Sequence, residues 1–128
     1  MIDRNKPLPP QIAALSCDEL LETACCGKNS VRALALAELA QLSLSQPRLV
    51  KTVAHLAATP ENRNARLLGT ISVAHYGLTE LLRANPAAAS SIILPLLADW
   101  PEPDRSDFFW YVKSELGPDA LAQMVIAA

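Results

Sequence analysis

Hydrophobic side chains recur along this chain at intervals of three and four residues, the spacing that places them on one face of an α-helix. The clearest case is the segment 30–44. One face of that segment carries Val31, Leu34, Ala35, Leu39 and Leu42. No segment alternates cleanly between apolar and polar residues, so the pattern gives little support for strands. We therefore expect an all-α protein with about seven helices.

Capping and turn residues divide this pattern into separate helices. Ser16 and Glu19 have the spacing of a capping box, and Gly27 is expected to end that first helix in a left-handed conformation. A cap for the second helix is expected at residues 29–30. Prolines in first-turn positions mark three further helix starts. These prolines are Pro47, Pro86 and Pro118.

The longest predicted helix covers residues 62–84 and contains two glycines. Glycine inside a helix costs about 1 kcal/mol relative to alanine. Close contact with a neighbouring helix would compensate for Gly69 and Gly77, so we expect such a contact there. Farther along, Asp104 is expected to cap a helix that ends at Gly117.

Proline-containing turns recur at a spacing close to 40 residues. Residues 45–50 correspond to 84–89, a spacing of 39, and residues 59–61 correspond to 100–102, a spacing of 41. Two helices per unit at this period resemble HEAT and armadillo repeats. The resemblance implies a short right-handed superhelical stack of antiparallel helix pairs over 16–128. An irregular helical bundle is the alternative.

Composition and charge narrow the classes of function. The chain has 128 residues, of which 51% are hydrophobic and 19% are charged, as suits one folded domain. Residues 1–66 contain eight basic and six acidic side chains, whereas residues 67–128 contain three and seven. A net-acidic chain without a basic run argues against nucleic-acid binding.

The chain also has features expected of a cytoplasmic protein. Its proline-rich beginning, which we interpret as an extended arm over residues 1–15, lacks the apolar core of a signal peptide. The longest apolar run, residues 92–98, is too short to cross a membrane. An odd number of cysteines fits a reducing compartment. These cysteines are Cys17, Cys25 and Cys26.

No combination of residues has the spacing of a catalytic or metal site. His75 lies on the apolar stripe of its helix and His55 on the polar face of another, so we expect a half-buried and an exposed histidine. The pair Asp104 and Asp107 is explained by the positive end of a helix dipole. Zinc-binding and nucleophile motifs are absent from the sequence. We therefore expect a protein that is not an enzyme and needs no cofactor or metal.

Aromatic residues are concentrated in one short segment. Five of the six lie between positions 100 and 111, namely Trp100, Phe108, Phe109, Trp110 and Tyr111. Phe108 forms an inner stripe with Val112 and Leu116, so Trp110, Tyr111 or both must point elsewhere. They either pack against a neighbouring helix or form exposed anchors of an interface. Several carboxylates surround this segment.

These observations favour a protein-binding module, of the kind represented by bacterial inhibitors, immunity proteins and adaptors. It would mask a protein partner with a basic surface. The residues expected to contact that partner are Trp100, Glu102, Asp104, Asp107, Trp110 and Tyr111.

Two alternatives stay open. One is a nucleic-acid-binding helical-repeat protein, which would use a second, basic face. The residues of that face are Arg48, Lys51, Arg63 and Arg66. The other alternative is a homo-oligomeric structural protein that buries the weakly polar face of its fifth predicted helix against another copy.

Overall fold

A computed structural model describes residue 12 and residues 15–127 of the chain. This part of the chain forms eight helices and one two-stranded antiparallel hairpin, which confirms the all-α class. The helices are α1 (Cys17–Cys26), α2 (Asn29–Leu42), α3 (Leu49–Ala57), α4 (Pro60–Asn64), α5 (Val73–Ala84), α6 (Pro86–Leu97), α7 (Asp104–Leu116) and α8 (Pro118–Ala127). The strands are β1 (Arg66–Leu68) and β2 (Ile71–Ser72).

The single long helix predicted over 62–84 is wrong. The structure divides this segment into the short helix α4, the hairpin and the helix α5. Gly69 lies in the hairpin turn with a φ of 55°, a left-handed conformation that favours glycine. Ser72 then begins α5, because its hydroxyl accepts a hydrogen bond from the backbone N–H of His75.

The other predicted helix ends are partly confirmed. Ser16 and Glu19 form the expected capping box at the start of α1. Gly27 ends that helix in an extended conformation with a φ of −74°, so the left-handed end predicted there is wrong. The side-chain cap predicted for α2 at residues 29–30 is also absent. Gly117 has a φ of 94° at the end of α7, as a glycine terminator should.

Helix α5 lies at the centre of the molecule. All residues from 71 to 82 are buried, and α5 packs against α2, α3, α4, α6 and α7. A Cβ atom added at Gly77 would lie 2.7 Å from Leu36 Cδ1 and 3.2 Å from Ala57 Cβ. This confirms the close helix contact expected at Gly77, whereas Gly69 instead serves the turn. The central position of α5 connects helices from both halves of the chain to one core.

The main hydrophobic cluster takes in side chains from every helix named above except α4. Ile12 joins this cluster, while most of the predicted arm over 1–15 lies outside the described residues. Neighbouring helices α1 and α2, and likewise α7 and α8, contact each other. Their arrangement as a superhelical stack stays a prediction. In the described part of the chain, no helix combines the length and apolarity needed to cross a membrane.

Candidate functional site

The aromatic segment singled out by the sequence forms the loop after α6 and about the first two turns of α7. Asp104 begins α7 but does not cap it, contrary to the prediction. Its carboxylate lies 3.4 Å from the Nη2 atom of Arg66 in β1, and its backbone carbonyl lies 2.9 Å from Nε2 of His75. The start of α7 is therefore held against both the hairpin and α5.

His75 makes hydrogen bonds through both ring nitrogens. Nδ1 accepts from the backbone N–H of Ser72 at 3.0 Å, so the ring proton lies on Nε2, which donates to the Asp104 carbonyl. Only 1% of His75 is exposed, in place of the half-buried position expected from the sequence. Burial lowers the pKa of His75, and the hydrogen bond to Asp104 opposes that effect. The ring is thus a neutral link between α5 and α7.

Trp100 and Phe108 pack around this histidine. The His75 ring is stacked against Phe108 at a centroid distance of 6.2 Å and meets Trp100 edge-on at 5.9 Å. The guanidinium of Arg63 lies 5.7 Å from the centre of the Trp100 ring. These neighbours cover Trp100, which is only 7% exposed. The prediction that Trp100 contacts a partner protein at the surface is therefore wrong.

Tyr111 is also a core residue, with 2% of its surface exposed. It packs with Ile71 of the hairpin and Tyr76 of α5 in a small second cluster. Its hydroxyl donates to Glu115 Oε1 at 3.2 Å, and burial, followed by the charge of Glu115, raises the pKa of Tyr111. The prediction that Tyr111 contacts a partner protein is therefore wrong, because the hairpin covers that side of α7.

Trp110 has the opposite environment. It is 61% exposed, the largest value among the exposed large hydrophobic side chains of the described residues. Successive helical residues point about 100° apart, so α7 can bury Tyr111 and still direct Trp110 outward. Phe109, on the other side of Trp110, is partly buried against the main core. Of the three Trp and Tyr residues proposed as anchors, Trp110 alone has a surface available to a partner.

The carboxylates near Trp110 differ in whether they already form ion pairs or hydrogen bonds within the protein. Glu102 is exposed and interacts with Arg105 at 3.3 Å and with the hydroxyl of Ser106. Asp104 is engaged by Arg66, as described above. Asp107 is half-buried and precedes Trp110 by three residues, which places the two side chains on neighbouring parts of one helical face. Within the described residues, no ion pair involves Asp107.

The four basic residues proposed as a second face do not act as a set. Arg48 and Lys51 are exposed at the beginning of α3. Arg63 instead packs on Trp100, and Arg66 binds Asp104 together with the Thr70 carbonyl, which its Nη1 reaches at 2.8 Å. Two of the four therefore serve contacts within the molecule.

The role of His75 as a link was missed by the sequence reasoning. A usable signal was present, because Ser72 and His75 have the three-residue separation of a capping box.

In the residues that the structure describes, there is no group of three or more side chains suited to holding a metal ion. Comparison with known protein families, with curated proteins and with solved structures found no significant match to this chain.

Proposed function

We propose that this chain is a protein-binding module without catalytic activity, and that the outward face of α7 around Trp110 contacts the partner. The observation that carries the proposal is the exposure of Trp110 on a helix whose opposite side is anchored in the core. Tryptophan is enriched among the residues that dominate binding energy at protein interfaces. A large exposed aromatic side chain on a fixed helix is therefore a suitable anchor.

The surroundings of Trp110 add to its suitability. Because His75 and Arg66 hold the start of α7, and Phe108 fixes its inner face, the helix needs little further ordering when a partner arrives. Binding groups that are already held in place lose less conformational entropy on association. Trp110 itself has only two side-chain torsions to restrict.

Charge indicates the kind of partner. Residues 67–128 contain seven acidic and three basic side chains. Within eight residues of Trp110 there are two basic side chains and four acidic ones, namely Glu102, Asp104, Asp107 and Glu115. A partner with a basic surface would be attracted to this region, and complementary charge accelerates association. This chemistry suits an inhibitor, immunity protein or adaptor that masks a basic protein.

The test compares Trp110→Ala with Leu44→Ala, a matched control at another exposed hydrophobic position, 57% exposed at the turn after α2. The tagged protein is used to capture a stoichiometric partner from lysate of its source cells. Binding is then measured between purified components. We expect Trp110→Ala to raise the Kd more than about tenfold, or about 1.4 kcal/mol, while Leu44→Ala changes it little.

Unfolding by urea separates binding from stability in the same variants. Trp110→Ala should leave the free energy of unfolding within about 0.5 kcal/mol of the original protein, as expected for a surface substitution. A Kd unaffected by Trp110→Ala would contradict the proposed site. Capture of nothing but further copies of the chain, or of nucleic acid at low salt, would support one of the two alternatives instead.

A further inference from the structure

A cavity of about 480 Å³ opens between α5, α6, α7 and α8. Trp110 is not among the residues that line it, so the cavity is distinct from the proposed partner surface. Its volume falls in the range of small-molecule sites, roughly 300 to 1,000 Å³. Among the lining residues that the structure describes, four are buried and form the floor, namely Leu82, Ser90, Val112 and Met124.

The floor is suited to an apolar chain. Leu82, Val112 and Met124 present hydrocarbon and thioether surface, and methionine adapts its shape to an occupant. The hydroxyl of Ser90 donates to the backbone carbonyl of Pro86 at 2.6 Å, so its donor is already used within α6. An occupant of this floor therefore gains by burying apolar surface.

The rim has a different character. Arg83, Pro86, Ala87 and Gln123 are exposed where they line the opening. Arg83 is the one charged residue among the described residues that line the cavity, and it is a cation. Pro86 and Ala87 form the first turn of α6, where the helix dipole adds positive potential. The opening thus favours a negative group above an apolar floor.

The carboxylate that pairs with Arg83 does not compete for the opening. Glu80 is buried one turn earlier on α5 and does not line the cavity. Its Oε2 atom accepts from Nε of Arg83 at 3.0 Å. The terminal nitrogens of the guanidinium carry four of its five N–H donors, and their forked geometry matches a carboxylate.

We propose that this cavity binds a single-chain carboxylate, with its hydrocarbon tail on the buried floor and its carboxylate at Arg83. The complementarity of charge at the rim and of apolar surface below selects this class over an uncharged hydrocarbon or a cationic amphiphile. Arg83 of α5 would therefore bind the carboxylate, and apolar side chains of α5, α7 and α8 would bind the tail.

The first experiment titrates decanoate and decanol separately into the full chain labelled with ¹⁵N, and follows amide shifts to saturation. Decanoate should bind with a Kd below about 1 mM, and decanol at least about fivefold more weakly. Arg83→Gln should raise the Kd for decanoate about tenfold and leave that for decanol unchanged. Lys51→Gln, an exposed cation on α3, is the matched control and should change neither Kd.

A second pair of variants tests the location. Ala120→Phe and Ala87→Phe each place a large ring in the opening, from α8 and from α6, and each should abolish binding of both ligands. Thermal unfolding shows which of the two variants keeps its fold. If Ala120→Phe does not fold, Ala87→Phe, whose position is exposed, carries the test. Absence of saturable decanoate binding, equal affinity for decanol, or binding that survives filling of the cavity would each overturn the proposal.

Discussion

At the scale of single residues, His75 shows how a polar side chain can be accommodated in the core. Its two ring nitrogens have different partners, an N–H donor at Ser72 and a carbonyl acceptor at Asp104, and one neutral tautomer satisfies both. A protonated ring would place an N–H on Nδ1 against the Ser72 N–H, which can only donate, and against the Ser72 hydroxyl, 3.2 Å away, which already accepts from the His75 backbone N–H. Folding therefore selects the neutral form.

This selection predicts a pH dependence of stability. Because burial lowers the pKa of folded His75 below the ordinary value of 6.5, the unfolded chain binds more protons just below pH 6.5. The contribution of His75 should be complete above about pH 6.5 and should be lost as the pH falls, by at most about 1.4 kcal/mol per pH unit. Asp104 and Asp107 oppose this shift of the pKa, whereas Arg66 adds to it.

Urea unfolding between about pH 5 and pH 7 measures this effect. The variant His75→Gln should remove the histidine part of the slope, while His55→Gln, at an exposed position, provides the matched control. An identical slope in His75→Gln and the original protein would show that other groups, and not His75, cause the pH dependence.

The aromatic side chains of α7 show how much of the candidate site could be predicted from the sequence. The sequence correctly indicated that Phe108 points inward, and that Trp110, Tyr111 or both point away from the stripe that Phe108 forms. It could not indicate which of them is covered, because that depends on Ile71 of the hairpin, about 40 residues earlier, packing beside Tyr111. A one-position difference on a helix is about 100°, and a distant contact decides it.

At the scale of elements, the segment predicted as one helix over 62–84 shows why local periodicity was insufficient. Its apolar residues fit helical spacing, but Gly69 and Ser72 offer a turn and a helix start inside it. The paired strands contain only three and two residues, too few for an alternating pattern to be recognised. The contacts of β2 with α7 and of β1 with α2 join segments far apart in the sequence, so local propensity alone could not favour these strands.

The close packing of α5 on α2 at Gly77 can be tested by substitution. Gly77→Ala should lower the free energy of unfolding by about 1 kcal/mol, because crowding against Leu36 and Ala57 outweighs the gain in helix propensity. Urea unfolding of a double-mutant cycle with Leu36→Ala isolates the cause. In the Leu36→Ala background, Gly77→Ala should lower the free energy of unfolding much less. If Gly77→Ala stabilises the original protein, the close packing of α5 on α2 is contradicted.

At the scale of the whole molecule, the position of α5 bears on the predicted repeat architecture. In a helical-repeat stack, each unit contacts its neighbours along the stack. Here α5 contacts α2 and α3, which precede it in the chain, and also α6 and α7, which follow it. The sequence indicated the helical class and most helix starts, yet the packing order depends on side-chain shapes such as the space left by Gly77.

The central position of α5 predicts that the fold cannot lose its last two helices. Deleting residues 104–128 removes the Asp104 carbonyl that His75 binds and the Phe108 ring stacked on it, and it exposes the side of α5 that packs on α7. We expect this truncated chain to show no cooperative thermal transition by circular dichroism, because a buried polar group loses its partner and apolar surface returns to water. The full chain with Trp110→Ala should keep its transition. A truncated chain that unfolds as cooperatively as the full one would instead indicate that the last helix pair is an independent unit of a stack.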